Sequence, residues 1–232
     1  MPRLLLSFVS GGQTKENSRI YIQRNEVKEA TVSDIFSDRL FNGLERTDPE
    51  PGMLLVAAPG MASPYFARSV VILIEHDVYG SFGVTLSERS ETAVHEVMPD
   101  WVELIAPPQA IYVGGPVEQQ AVVGLGVTHP EVTIAEHPEL TRLANRLVHI
   151  NLNAEPQKLR SLVAGMRLFA GYCSWSPGQL QEEIERGDWF VTPALPSDVT
   201  TPGRVDLWGE VMRRQAQPLP LFSTFPANLL DS

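Results

Sequence analysis

The side chains of this 232-residue chain that could do chemistry are one thiol, five imidazoles and a few arginines set among glycine turns. Cys173 lies three residues before Ser176, where a helix can start, and a helix N-terminus lowers a thiol pKa and favours nucleophilic or redox chemistry. No histidine adjoins it in sequence to act as a base. A lone cysteine at a strand end also fits a buried small hydrophobe. His76 follows Glu75 at a strand end and could face a ligand. A metal site needs several converging ligands, and His76 has no partner at i+2 or i+4. His95, His129, His137 and His149 are scattered, so a hydrogen-bonded histidine that orients a loop is the plainer role. Arg68 could reach a pocket or pair with Glu75. Gly114-Gly115-Pro116 could bring backbone close to an anion, or serve only as a tight turn. It is neither a Walker nor a dinucleotide fingerprint. Gly-x-Ser-x-Gly is absent, and Gly12-Gln13-Thr14-Lys15 lacks the phosphate-loop frame. These residues define no catalytic set, no metal site and no cofactor.

The element that would position Cys173 and Trp175 is written out in residues 171–189. Ser176 is placed to cap a helix, Pro177 fits its first position, and Gln179 completes a Ser-x-x-Gln capping box. Trp175 and Leu180 then form a hydrophobic staple. Leu180 and Ile184 share the buried face, Gly187 ends the helix, and Trp189 opens a strand.

Around this element the pattern is mainly of short strands, at 53–57, 69–74, 82–86, 110–113, 121–127, 147–152, 167–172 and 189–192. The turn at Tyr79-Gly80 makes the second and third a hairpin, and Gly124 and Gly126 mark a bulge or close backbone approach. Helices are expected at 33–43, 92–97, 138–146, 156–164, 177–186 and 205–215, the last with Leu207, Trp208 and Val211 inward. Residues 196–202 read as a loop, and the Pro-rich tail from Pro218 as a segment packed along the body or a partner. Residues 1–51 form a polar arm with a short helix and a linker, and 52–232 a single domain.

Hydrophobic residues make up 43% of the chain, enough for a sizeable core. The net charge of -10, without a Lys/Arg stripe, argues against direct nucleic-acid binding. A single cysteine allows no internal disulfide, which fits a reducing cytoplasm. The N-terminus is a poor signal peptide, and no run reaches the ~18 apolar residues of a membrane span.

Four segments carry a resemblance. Residues 52–61, GMLLVAAPGM, contain an opening strand and a Pro-x-Met turn. Phe66-Ala-Arg-Ser-Val-Val71, running on to Glu75-His76, matches a second strand. Gly114-Gly-Pro-Val117 and the 171–189 run complete the set. In this order they resemble the bacterial YqgE/AlgH family. Two positions depart from the family's pattern: Ser87-Glu88-Arg89 stands where Asn-Arg-Pro is usual, and Cys173-Ser174 where Ala/Ser-Gly is usual. The resemblance implies an α+β fold, a bent mixed sheet forming a pseudo-barrel flanked by short helices. The name AlgH also carries a proposed role in transcriptional regulation, which in this acidic chain would be indirect.

Two functions are compatible with these residues. One is a cytosolic, non-catalytic protein that binds a small molecule or a protein partner. Its binding residues would be Arg68, His76, Gly114, Gly115, Pro116, Cys173 and Trp175. The other is an enzyme whose site is assembled across the turns from Arg68, His76, Cys173 and Trp175. For a pocket, at least two of the turns 59–61, 114–116 and 172–175 must face each other, with Arg68 or His76 at the rim.

Overall fold

The computed structural model describes residues 47–61, 63, 65–202 and 205–226. The expected arm helix at 33–43 lies outside them. Strand β1 (Met53–Ala57) is an unbroken apolar run because both its faces are covered. Leu54 and Val56 enter one buried cluster, and Leu55 and Ala57 another. β2 (Val70–Asp77) and β3 (Gly80–Thr85) form the expected hairpin. β4 (Arg89–Ala93) leads into the single-turn α1 (Val94–Val97), then β5 (Ala110–Val113) and β6 (Val117–Thr128). β7 (Leu140–Ala144) and β8 (Leu147–Ile150) precede the one-turn α2 (Pro156–Leu159). β9 (Val163–Trp175), α3 (Gln179–Arg186), β10 (Trp189–Pro193), α4 (Pro196–Thr200) and α5 (Leu207–Arg213) complete the described chain.

The sheet runs β10-β1-β2-β3-β9-β6-β8-β7 and is antiparallel along this path. β5 adds the parallel component by pairing with β9. β9 belongs to both halves: Cys173–Trp175 pair with β3, and 163–172 with β6. The strand bends at Gly171, whose φ of +71° suits glycine. The curl brings β7 round to the start of β1, where a Cβ on Gly52 would lie 2.6 Å from the Leu143 backbone. The result is a curled half-barrel with few, short helices. Its concave side is filled by Trp208, Leu207, Val211 and Met212 of α5 against Leu54, Ile72, Leu125 and Phe169. On the convex side α3 lays Leu180 and Ile184 over Leu55, Val71, Trp175 and Trp189.

Several local expectations are corrected. Within 138–146, Leu140–Ala144 form β7 in place of a helix, because pairing with β8 overrides the helical spacing of the leucines. The helix expected at 156–164 is one turn, since Val163 already belongs to β9, and that expected at 92–97 begins only at Val94. The loop at 196–202 contains α4.

The capping register also moves. Gly178 adopts φ +79° and ψ -18°, and the Gln179 N–H donates to the Ser176 carbonyl at 3.0 Å. Ser176-Pro177-Gly178-Gln179 is therefore a type II turn, the form that Pro-Gly at its centre favours, and the helix starts after it. The Gln179 Oε1 still accepts from the Ser176 N–H at 3.0 Å, so half of the capping box survives. The exposed Ser176 hydroxyl caps nothing. Ser176→Ala is thus expected to change stability by no more than about 0.5 kcal/mol, the usual range for a surface substitution. A shifted urea midpoint worth about 1 kcal/mol would restore the side-chain cap.

Candidate functional site: the concave mouth of the half-barrel

The sequence-expected residues divide between the two faces of the sheet. Cys173 and Trp175 are buried on the convex side with Leu180, Trp189 and the partly buried Met61 and Phe66. Arg68 belongs to the concave side. Its guanidinium stacks on Trp208 at 4.2 Å, pairs with Asp206 at 2.5 Å and donates to the Phe225 carbonyl. It thus pairs with Asp206 and not with Glu75, and clasps the C-terminal segment to the body. His76 bonds through Nδ1 to the Ser81 hydroxyl at 2.8 Å, directly across the hairpin. Arg68, His76, Cys173 and Trp175 therefore do not converge on one point.

The turns at 114–116 and 172–175 do face each other, backbone against backbone. A Cβ on Gly115 would lie 2.0 Å from the Tyr172 carbonyl carbon, and one on Gly114 2.2 Å from the Gly171 oxygen. These glycines admit a neighbouring strand and leave no room between the chains for a ligand. Pro116 leads directly into β6.

The Cys173 thiol donates to the Gly114 carbonyl at 3.6 Å. Burial pushes its pKa up to about 12 from an ordinary 9.0, the contact with Thr85 only partly opposing this. A thiol held protonated is a poor nucleophile. Native protein is expected not to react with a thiol reagent at pH 8, and urea-unfolded protein to react at once. The pH dependence follows from the raised folded value. The stability contributed by the neutral thiol is complete below pH 9 and is lost as pH rises toward about 12. Cys173→Val removes that component, so wild-type and variant stability curves should converge or cross in this window. Rapid modification of the folded protein would contradict the burial.

Among the described residues, an open cleft lies instead at the mouth of the concave side. A cleft of about 340 Å³ is bounded by Ala106, Val127, Arg146, Gly165, Pro196 and Thr200, among others. This volume is within the range of small-ligand sites, and barrel mouths are a common place for them. Val127 pairs with Gly165 and Leu125 with Arg167, so these four side-chain positions share one face of the sheet. Gly165 keeps the cleft open: a Cβ there would be 3.6 Å from Ala106 and 4.0 Å from Thr200, ordinary contact distances.

Arg167 lies two residues further along the same face and is completely buried. One of its terminal nitrogens, Nη2, donates to the carbonyls of Thr200 at 2.6 Å and Pro107 at 3.2 Å. The guanidinium stacks on the Tyr112 ring at 4.2 Å. Nε and Nη1 have no acceptor among the described residues. Burial lowers the Arg167 pKa, with Tyr112 opposing. Arg146, in the cleft wall, donates one N–H to the Thr128 carbonyl at 3.0 Å. Neither arginine is in an ion pair among the described residues. The roof is fixed by Asp198 of α4, which accepts from the Leu195 N–H at 2.7 Å and from both terminal nitrogens of Arg214 at 2.6 and 2.7 Å.

Sequence reasoning passed over Arg167, Arg146 and Gly165. A signal existed for the first: a charge inside the apolar strand sequence Met166-Arg-Leu-Phe169 breaks the pattern of a buried strand.

A family model described as AlgH-like matches residues 54–220. The chain belongs to the AlgH-like family. A UPF0301 protein of Corynebacterium efficiens is 59% identical over 201 residues, covering 87% of this chain and 100% of that one. The crystal structure of protein DIP2367 from Corynebacterium diphtheriae is similar with a TM-score of 0.79 and 62% identity, over 82% of this chain and 100% of that one. The solution structure of AlgH from Pseudomonas aeruginosa matches with a TM-score of 0.54 and 24% identity, over 78% and 97% of the two chains. At that identity the last comparison concerns the fold alone, and it agrees with the curled α+β half-barrel. Among the described residues of this AlgH-like chain, no helix is long and apolar enough to cross a membrane, and no three His, Cys, Asp or Glu side chains are grouped to hold a metal.

Proposed function

We propose that this AlgH-like protein is a non-catalytic, cytoplasmic binding protein, whose ligand is a small molecule and whose part in regulation is indirect. The observation that carries the reading is the cleft at the concave mouth, kept open by Gly165 and roofed by α4. The burial and protonation of Cys173, and its separation from Arg68 and His76, support binding over catalysis. A protein partner for the same cleft is the other form of the reading. Direct DNA binding has little support from a net charge of -10, because phosphate contacts need a cationic surface.

A thermal-shift screen with a library balanced in charge tests this. A ligand at 100 times its dissociation constant stabilises by about 2.7 kcal/mol. Hits are expected to lose their effect in Gly165→Val, which fills the cleft at a position that accommodates a Cβ. Hits indifferent to Gly165→Val would place binding elsewhere, and the absence of any hit would leave the protein-partner form.

A further inference from the structure

We infer that the cleft at the concave mouth is a site for a compact oxyanion, a carboxylate or phosphate group, contacted by Arg146 and drawn by the buried charge of Arg167 behind the wall. The inference rests on the small-molecule reading of the cleft and names its ligand class.

The first argument is charge distribution. The chain carries an excess of acidic residues, -10 overall, yet among the described residues no carboxylate lines this cleft and its one charged wall residue is Arg146. Arg146 spends one N–H on a backbone carbonyl and is in no ion pair among the described residues, so it has donors left for a ligand. The second argument is Arg167. A buried cation is costly to keep unless it is paired and fully hydrogen-bonded. Here two carbonyls and Tyr112, through its ring face and its hydroxyl, partly satisfy it, and among the described residues Nε and Nη1 have no acceptor at hydrogen-bond distance. An anion in the adjoining cleft would supply the missing negative charge.

The third argument is access. Thr200 belongs to both environments: its side chain is near the space above Gly165, and its carbonyl accepts from Arg167. An anion beside Thr200 is therefore one residue away from the buried guanidinium. Because Arg167 itself is buried, its attraction for an anion there is less screened than that of a surface charge. Arginine suits the role because its planar donors match carboxylate and phosphate oxygens and its charge does not titrate in the physiological range.

The test titrates the full chain with inorganic phosphate and, separately, with malonate, at ionic strength held constant with potassium chloride. Calorimetry and thermal shift are read together. Saturable binding of at least one anion is expected, and the preferred one distinguishes phosphate from carboxylate. Arg146→Gln, on the cleft wall, should weaken binding about tenfold, the value of one charge-assisted hydrogen bond. Arg167→Met should remove the response, with the unliganded melting temperature lowered by the loss of its bonds to the Pro107 and Thr200 carbonyls. Should Arg167→Met not fold, Arg146→Gln and Gly165→Val decide the matter. A response that follows ionic strength whatever the anion, or affinity unchanged in Arg146→Gln and Gly165→Val, overturns the inference. If neutral compounds bind in a Gly165-sensitive way and neither anion does, the binding reading stands and the oxyanion inference fails. If no compound binds in that way, the small-molecule reading fails with it.

Discussion

Trp175→Ala is expected to lower folding stability by about 3–5 kcal/mol, the usual cost of removing a large buried aromatic side chain. Only 5% of Trp175 is exposed, and its ring meets that of Trp189 edge-on, with centroids 6.2 Å apart. Its indole N–H donates to Glu183 Oε2 at 2.8 Å, and the Trp189 indole donates to the same oxygen at 2.8 Å. The other oxygen of Glu183 accepts from the Gln179 amide at 3.0 Å. One carboxylate on α3 thus ties together β9, β10 and the helix that covers them. Removing the indole empties part of the convex core and takes away one of these bonds. Trp175→Phe keeps most of the apolar area and loses the N–H, so its cost should be clearly smaller. Urea denaturation of both variants measures the difference. A loss below about 1.5 kcal/mol for the alanine variant would mean that the convex core does not depend on this ring.

Gly115→Ala is expected to cost about 3 kcal/mol or more, at the upper end for overpacking. The added methyl would lie 2.0 Å from the Tyr172 carbonyl carbon, 2.1 Å from its oxygen and 2.6 Å from the Cys173 nitrogen. These are backbone atoms, so no side chain can turn aside and β9 itself must move. The same strand pairs with β3, β5 and β6, which spreads the displacement through the sheet. Gly165→Ala is the control. Its nearest neighbour would be 3.6 Å away, and the strand conformation there suits any residue, so its effect should be small. Equal midpoints for the two variants would show that the 114–116 turn can move away from β9 at little cost.

The two glycines also show how far local pattern reaches. Gly114-Gly115-Pro116 is legible as a turn, and the expectation that at least two of the turns 59–61, 114–116 and 172–175 face each other does not say which two. Whether the space between them is a pocket or a backbone contact depends on separations of an ångström or so, which no residue pattern encodes. Likewise Pro177-Gly178 was present to be read as a type II turn, but the Ser-x-x-Gln frame suggested a capping box, and the turn geometry won. The leucines at 140 and 143 have helical spacing and yet form an edge strand, because β8 offers a hydrogen-bonding partner that an isolated segment does not have.

By itself the sequence determined the features that depend on neighbours along the chain. These include the double-sided apolar run of β1, the β2–β3 hairpin, the glycine stop of α3 and the inward face of α5. The ordered motifs that mark the AlgH-like family were legible for the same reason. Only the tertiary structure decided which distant groups meet. It took Arg68 to Asp206 and Trp208, curled β7 against Gly52, and enclosed Arg167 beneath Thr200 and Pro107 beside an open cleft. The physical reason is that backbone propensity and hydrophobic period act over a few residues. Burial of a charge and the shape of a cavity are set instead by strands and loops far apart in the chain, once the curl of the sheet has brought them together.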